Sequence, residues 1–304
     1  MRLPYKEVRR LFQVPTQGRV RLSDYDPCWV GEDEFKDLSK PELKAHATEV
    51  LQKNIAELSN AQERLYASDT YSVLIVLQAS DAAGKDGTIR HVMSGINPQG
   101  CQVFSFKQPS SEDLDHTFLW RYTKCLPERG RIGIFNRSYY EDVLVVRVHP
   151  ELLRQLPRED RGKDFWRDRY DDINAFERHL TRNGTLVLKF FLNVSKKEQG
   201  QRLLERIDRP EKNWKFSFGD LAEREHWSDY RDAFQNMLQR TSTKWAPWWV
   251  IPADNKWVTR ALVAAIITRS IDKLGVEFPT VSAKDRQRLA AARRTLTKQS
   301  DQDD

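Results

Sequence analysis

Cysteine is scarce: Cys28, Cys101 and Cys125 are the only three in 304 residues. An odd number without CxxC spacing argues against a disulfide framework or a zinc site and points to a reducing compartment, the cytoplasm. Long apolar runs are missing too. The longest, Val73–Ala79 and Ala261–Ile267, fall far short of the roughly 20 residues of a membrane span, so no membrane partner is expected. Met1-Arg2-Leu3-Pro4-Tyr5-Lys6 has no apolar stretch of the kind a secretory signal carries. His91, His116, His149, His179 and His226 fall in no HExxH-like spacing, which leaves metal or general-base work to other residues. No internal repeat is visible. What is present is bulk and a slight excess of positive charge. Nine Trp, nine Tyr and 14 Phe supply the core material that disordered chains lack. Lys plus Arg exceeds Asp plus Glu by 50 to 44, a net +6 that leans mildly toward anionic partners.

Residues 1–38 mix charges and turn formers, including Glu32-Asp33-Glu34, and read as an arm laid on another surface. From Ser39 and Pro41 a helix start is followed by Leu51, Ile55, Leu58 and Leu65, the spacing of one long amphipathic helix ending near Ala67. Short β-rich runs then alternate with helical pattern. The strands are expected at Val73–Leu77, Cys101–Phe106, Arg131–Phe135, Thr185–Leu192 and Trp248–Ile251. Helices are expected near Thr88–Ser94, Ser111–Thr123, Ser138–Leu153, Phe165–Arg182 and Lys196–Arg206. Val73–Leu77 is continuously apolar, as in a parallel strand covered on both faces. The alternation predicts an α/β fold: a three-layer αβα sandwich on a mainly parallel sheet. The tail from Lys284 to Lys298 carries six basic residues and one acidic, and reads as a solvated helix or a disordered segment, with a polyanion contact as the alternative.

The strongest local signal follows the first strand: Ala79-Ser80-Asp81-Ala82-Ala83-Gly84-Lys85-Asp86-Gly87-Thr88. Small residues let backbone N–H groups approach phosphate oxygens, a helix N-terminus favours the negative charge, and a lysine can bridge terminal phosphates. The strict GxxxxGK[ST] pattern fails at both ends, since Ala79 replaces the first glycine and Asp86 the metal-holding hydroxyl. Asp81 is therefore the carboxylate expected to serve a metal, while Asp86 also suits the helix dipole. Ala82, Ala83, Gly84, Lys85, Asp86 and Gly87 are the expected phosphate cradle.

Ile132-Gly133-Ile134-Phe135-Asn136-Arg137 sits where a Walker-B strand would lie, with Asn136 in place of the usual acid. The fork of Arg137 suits phosphate oxygens. Glu141 and Asp142 follow closely and could reach metal or substrate, or simply pair with a helix dipole. Arg202, Arg206 and Arg209 fall at i, i+4 and i+7, one face of a helix that Pro210 would break. Basic residues in this region, Lys212 among them, suit a mobile lid over phosphates; a merely solvated face is the alternative. Trp245-Ala246-Pro247-Trp248-Trp249 reads as a strand packing Trp into the core rather than a nucleic-acid platform.

Together, Val76–Gly87, Phe135–Val145, Lys212-Asn213-Trp214-Lys215-Phe216 and Ala246-Pro247-Trp248 resemble the polyphosphate kinase 2 family, in order, from about Leu38 to about Pro279. The resemblance implies a P-loop kinase-like fold with a helical lid, assembled as a homodimer or homotetramer. It implies transfer of the terminal phosphoryl of inorganic polyphosphate to a nucleoside mono- or diphosphate (AMP or ADP, GMP or GDP), with magnesium or manganese as substitute. Carried over by position, Asp81 is the Walker-A acid, Lys85 the phosphate lysine, Arg137 the Walker-B arginine and Arg206 a lid arginine. Arg209 and Lys212 join the phosphate contacts, Asn136, Glu141 and Asp142 the acceptor nucleotide, and Asp81 with Glu141 the metal. The chain then divides into an arm and long helix (1–68), a phosphotransferase core (69–280) with a lid about 205–245, and a basic tail (281–304). Glu141-Asp142 replaces the Asn-Arg found in members restricted to diphosphates, which implies acceptance of both mono- and diphosphates. The rival readings are an ATP-dependent nucleoside monophosphate kinase, against which the missing Ser/Thr after Lys85 speaks, and a nucleic-acid binder, for which no signature accompanies the charge.

Overall fold

Among the described residues five strands build one sheet: β1 (Ser72–Gln78), β2 (Cys101–Ser105), β3 (Ile132–Asn136), β4 (Thr185–Asn193) and β5 (Trp248–Pro252). Their order is β2-β3-β1-β4-β5, and every neighbouring pair is parallel. The computed structural model describes residues 4–31, 38–155 and 164–303. Around the sheet lie α1 (Tyr5–Phe12), α2 (Lys40–Ser68), α3 (Lys85–Val92), α4 (Ser111–Leu114), α5 (Trp120–Thr123), α6 (Val145–Val148), α7 (Phe165–Arg182), α8 (Lys196–Asp208), α9 (Phe218–Glu225), α10 (Trp227–Thr241), α11 (Lys256–Asp272) and α12 (Ala283–Asp303).

Side chains alternate along a strand, so β1 feeds two cores at once. Val73, Ile75 and Leu77 pack with Leu51, Ile55, Leu58 and Leu65 of α2 and the apolar face of α11. Leu74 and Val76 pack with Ile173 and Leu180 of α7 and Phe234, Met237 and Leu238 of α10. Helices thus cover both faces, giving the three-layer parallel α/β fold expected from the unbroken apolar run of β1. Helix α2 starts at a capping box in which Ser39 and Glu42 satisfy each other's backbone N–H groups, with Pro41 in the first turn.

Three local expectations are corrected. The arm is seated on the chain's own core: Val8, Phe12, Val14, Val20 and Leu22 are buried, and Val14 N donates to Trp248 O at 2.9 Å. Its acidic stretch Glu32-Asp33-Glu34 lies outside the described residues. The helix expected over Ser138–Leu153 is a 3-10 turn at Tyr139–Val143, then α6, then a second 3-10 turn at Pro150–Gln155. Adjacent Tyr139 and Tyr140 are both fully buried, a demand that no single helical face meets. The helix expected over Ser111–Thr123 is interrupted between α4 and α5, where the His116 ring stacks on Trp120 at 3.8 Å. Trp248 and Trp249 are buried in β5. Helix α12 exposes every side chain from Ala283 to Gln299. Among the described residues no helix is long and apolar enough to cross a membrane.

Candidate active site

In a parallel sheet the chain leaves the strands at their carboxyl ends, and ligand crevices open there. The ends of β1 and β3, adjacent in the sheet, carry most of the sequence-predicted site. Beyond β1 the chain reverses through Ala82 and Gly84, both left-handed at φ 59° and 108°. Gly84 takes that conformation at little cost and caps α3. Lys85 opens α3 and folds back, its Nζ donating to Ala79 O at 2.8 Å. It is buried, and burial together with the positive charge of Arg137 pushes its pKa below the ordinary lysine value.

The loop is held from beneath by α8. Arg202 donates to the carbonyls of Ala82 at 3.1 Å and Ala83 at 2.7 Å, and to those of Ala253 and Asp254 after β5 at 2.6 and 3.0 Å. Its Nε donates to Glu198 at 2.7 Å. One turn earlier Gln199 donates to Asp81 O at 3.1 Å. Since C=O and N–H of one peptide point in opposite directions, the Gly84 amide is directed away from Arg202, at the start of α3. Arg202 therefore does not belong to a lid face. Nor do the three arginines share one helix: α8 stops at Asp208, and Arg209 is extended, at φ −108° and ψ 110°.

At the end of β3, Asn136 Nδ2 donates to Asp86 at 2.6 Å and to Ser105 Oγ at 3.3 Å. Its Oδ1 is buried with no hydrogen-bond partner among the described residues. Arg137 follows in the left-handed region at φ 65°, a conformation that costs a non-glycine residue on the order of 1–3 kcal/mol and needs support from its surroundings. Its N–H donates to Leu77 O at 3.1 Å and its guanidinium to Asp81 Oδ1 at 2.7 Å, tying the β3 end to the loop after β1. Glu141 lies in the same electrostatic neighbourhood: burial raises its carboxyl pKa, while Arg137 and Lys85 pull it down. Asp142 is placed differently. It faces Arg169 of α7 at 3.7 Å, and burial raises its pKa to about 7 against the pull of Arg169.

The segment after α8 brings Arg206 to Lys215 O at 3.0 Å and to Asp220 of α9 at 2.8 Å. Burial and the like charge of Asp81 raise the Asp220 carboxyl, so this pair stands within electrostatic reach of the loop. Arg209 and Lys212 both reach Glu205, at 3.6 and 3.1 Å. The structure thus brings together Asp81, Lys85, Asp86, Asn136, Arg137 and Glu141, with Arg206 approaching through Asp220. Sequence reasoning missed Gln199 and Asp220, and gave Arg202 to the lid face rather than to the loop after β1. Among the described residues no group of three or more His, Cys, Asp or Glu could by itself enclose a metal.

A family model, polyphosphate kinase 2, matches residues 42–279. This chain belongs to the polyphosphate kinase 2 family. It is 51% identical over 280 residues to an ADP-polyphosphate phosphotransferase of Rhodopseudomonas palustris, covering 88% of this chain and 97% of that one. It is 44% identical over 268 residues to an AMP/ADP-polyphosphate phosphotransferase of Meiothermus ruber, covering 88% and 94%. The crystal structure of polyphosphate kinase 2 from Arthrobacter aurescens superposes with a TM-score of 0.80 at 36% identity, covering 92% of this chain and 95% of that one. Polyphosphate kinases of this family generally use a divalent metal.

Proposed function

We propose that this chain moves the terminal phosphoryl group of inorganic polyphosphate to AMP and ADP, or their guanine counterparts, with magnesium. The observation that carries the reading is the junction of the β1 and β3 ends, where Lys85, Arg137 and Asp81 converge in a chain of this family. Phosphoryl transfer passes through a loose in-line transition state, so the protein mainly positions and neutralises. Lys85 and the Gly84 amide hold terminal phosphate oxygens, Arg137 meets the transferring group with its planar fork, and Arg206 closes from the lid, about 205–245. Ala82, Ala83, Asp86 and Gly87 complete the cradle, with Arg209 and Lys212 along the donor. The acceptor phosphate is already ionised, so little general-base help is needed.

The residues suit a hard, oxygen-seeking cation. Magnesium is usually held by one or two carboxylates plus substrate phosphates rather than by an all-protein cage. Asp81 and Glu141 supply the carboxylates, and the unpartnered Asn136 Oδ1 is a further oxygen donor. Bound there, the ion would neutralise charge on the phosphates. Assembly as a homodimer or homotetramer and a cytoplasmic location rest on the family likeness and the cysteine usage.

The two relatives' names differ in the acceptor, ADP for one and AMP/ADP for the other. Glu141 in the crevice supports the broader range here. Incubation with polyphosphate and AMP or ADP, separately, should yield ADP from AMP and ATP from ADP. Glu141→Asn should lose turnover with AMP more than with ADP. Equal losses, or a parent inert toward AMP, would refute the dual-acceptor reading. Activity with ATP but not polyphosphate as donor would instead establish an ATP-dependent monophosphate kinase.

A further inference from the structure

A charged pair lies at the centre of the core that covers the second face of the sheet. Lys189 of β4 and Glu177 of α7 have fully buried side chains and meet at 2.6 Å. Their neighbours on that face are apolar: Val187, Phe191, Leu180 and Trp248. Glu177 Oε1 accepts from Tyr139 Oη at 2.9 Å and Tyr140 Oη at 2.8 Å. Lys189 Nζ donates to Glu177 Oε2, to Tyr140 Oη at 2.9 Å and to Thr241 O at 2.7 Å, so all three of its protons are used. Trp248 Nε1 donates to Thr241 Oγ1 at 2.8 Å, completing the ring of partners.

Stability alone does not account for this pair. Removing two charges from water is so costly that well-packed apolar replacements are often as stable or more so. Its partners suggest another use. Tyr139 and Tyr140 stand in the chain between Arg137, in its strained backbone conformation, and Glu141. Thr241 is the last residue of α10, the helix along which the proposed lid segment rejoins the core. One buried ammonium therefore joins the turn that presents Arg137 and Glu141 to the root of the lid.

We propose that Lys189 and Glu177 are positioning residues for phosphoryl transfer, fixing the Arg137–Glu141 turn through the two tyrosine hydroxyls and registering it against the lid at Thr241. The proposal rests on the reading of Arg137 and Glu141 as site residues. Two variants test it without emptying the core. Tyr139→Phe/Tyr140→Phe keeps both rings and removes the hydroxyls. Glu177→Gln/Lys189→Met removes both charges while leaving an acceptor oxygen for the tyrosines.

Each is measured against the parent for kcat, KM for ADP, KM for polyphosphate and thermal melting. The expected result is a fall in kcat of about ten- to hundredfold, as for a small misplacement of reacting groups, with a raised KM for ADP. The KM for polyphosphate should stay near the parent's, while melting falls in both variants, because Tyr139→Phe/Tyr140→Phe takes the donors from Glu177 Oε1 and Lys189→Met takes one from Thr241 O. If one variant fails to fold, the other decides. Parent-like kcat and KM for ADP in a variant folded at the assay temperature overturn the proposal, as does a fall in turnover with the two KM values unchanged or raised alike. A parent inert with polyphosphate and ADP would overturn the underlying functional reading, and the proposal with it.

Discussion

Lys85 is buried and bonded to a carbonyl of its own loop, so on the proposed reading an arriving phosphate would replace one oxygen partner with a charged one. Removing a preorganised donor of this kind costs about 3–4 kcal/mol of barrier. Lys85→Ala and Asp81→Asn should each lower kcat by about a hundred- to a thousandfold, with melting unchanged; steady-state kinetics beside a thermal scan checks both. Arg137→Lys should also be severely impaired although the charge is kept, because lysine cannot reproduce the planar fork; a silent variant would remove Arg137 from the site. Asp142 gives a pH prediction. Its carboxyl is raised from 3.8 to about 7, so the fold favours the neutral form. That contribution is full below about pH 4 and lost as pH rises through about 7. Asp142→Asn is neutral throughout and should gain stability relative to the parent across that window, measured by urea unfolding of the ligand-free protein.

Among the elements, α8 has a role that spacing alone does not reveal. Arg202 holds four carbonyls from the loops after β1 and β5. Arg202→Met would leave buried acceptors without a donor and should cost at least about 3 kcal/mol in denaturant unfolding, lowering turnover as the phosphate loop relaxes. An unchanged unfolding midpoint would argue against the clamp. Helix α2 is legible from its long apolar spacing and β1, β3 and β5 from short runs buried along their whole length, whereas β2, largely exposed, is legible only from the alternation of strands with helices. The 138–155 segment is not, because buried tyrosines and a left-handed arginine set its path through tertiary contacts. Arg202 looked like a neighbour of Arg206 on a helical face; only the positions of β1 and β5 show that it is turned inward.

For the molecule as a whole, charge and topology act at different ranges. A net +6 and an anionic polymer as donor predict that KM for polyphosphate rises steeply between low and physiological salt, while KM for ADP moves less. Equal salt sensitivity for both substrates would argue against an extended basic path for the donor. Asp81, Lys85 and Arg137 could be read as a site because each lies in a short motif at the end of a strand. Glu177 and Lys189 could not: each stands alone in sequence as an ordinary charged residue, and only the packing of α7 on β4 makes them a pair.

The strand order also governs how the chain can be made. The central strand β1 pairs with β3 and β4, and the hydroxyls of Ser72 and Thr185, 113 positions apart, meet at 2.9 Å. At ribosomal speeds that separation is roughly 6–23 seconds of synthesis, during which the apolar run Val73–Leu77 has first both edges and then, once β3 is made, one edge without its partner. Val14 waits longer still for the carbonyl of Trp248. The nascent chain should therefore depend on shielding until β5 emerges, and truncation before Trp248 should yield insoluble protein rather than a smaller folded unit.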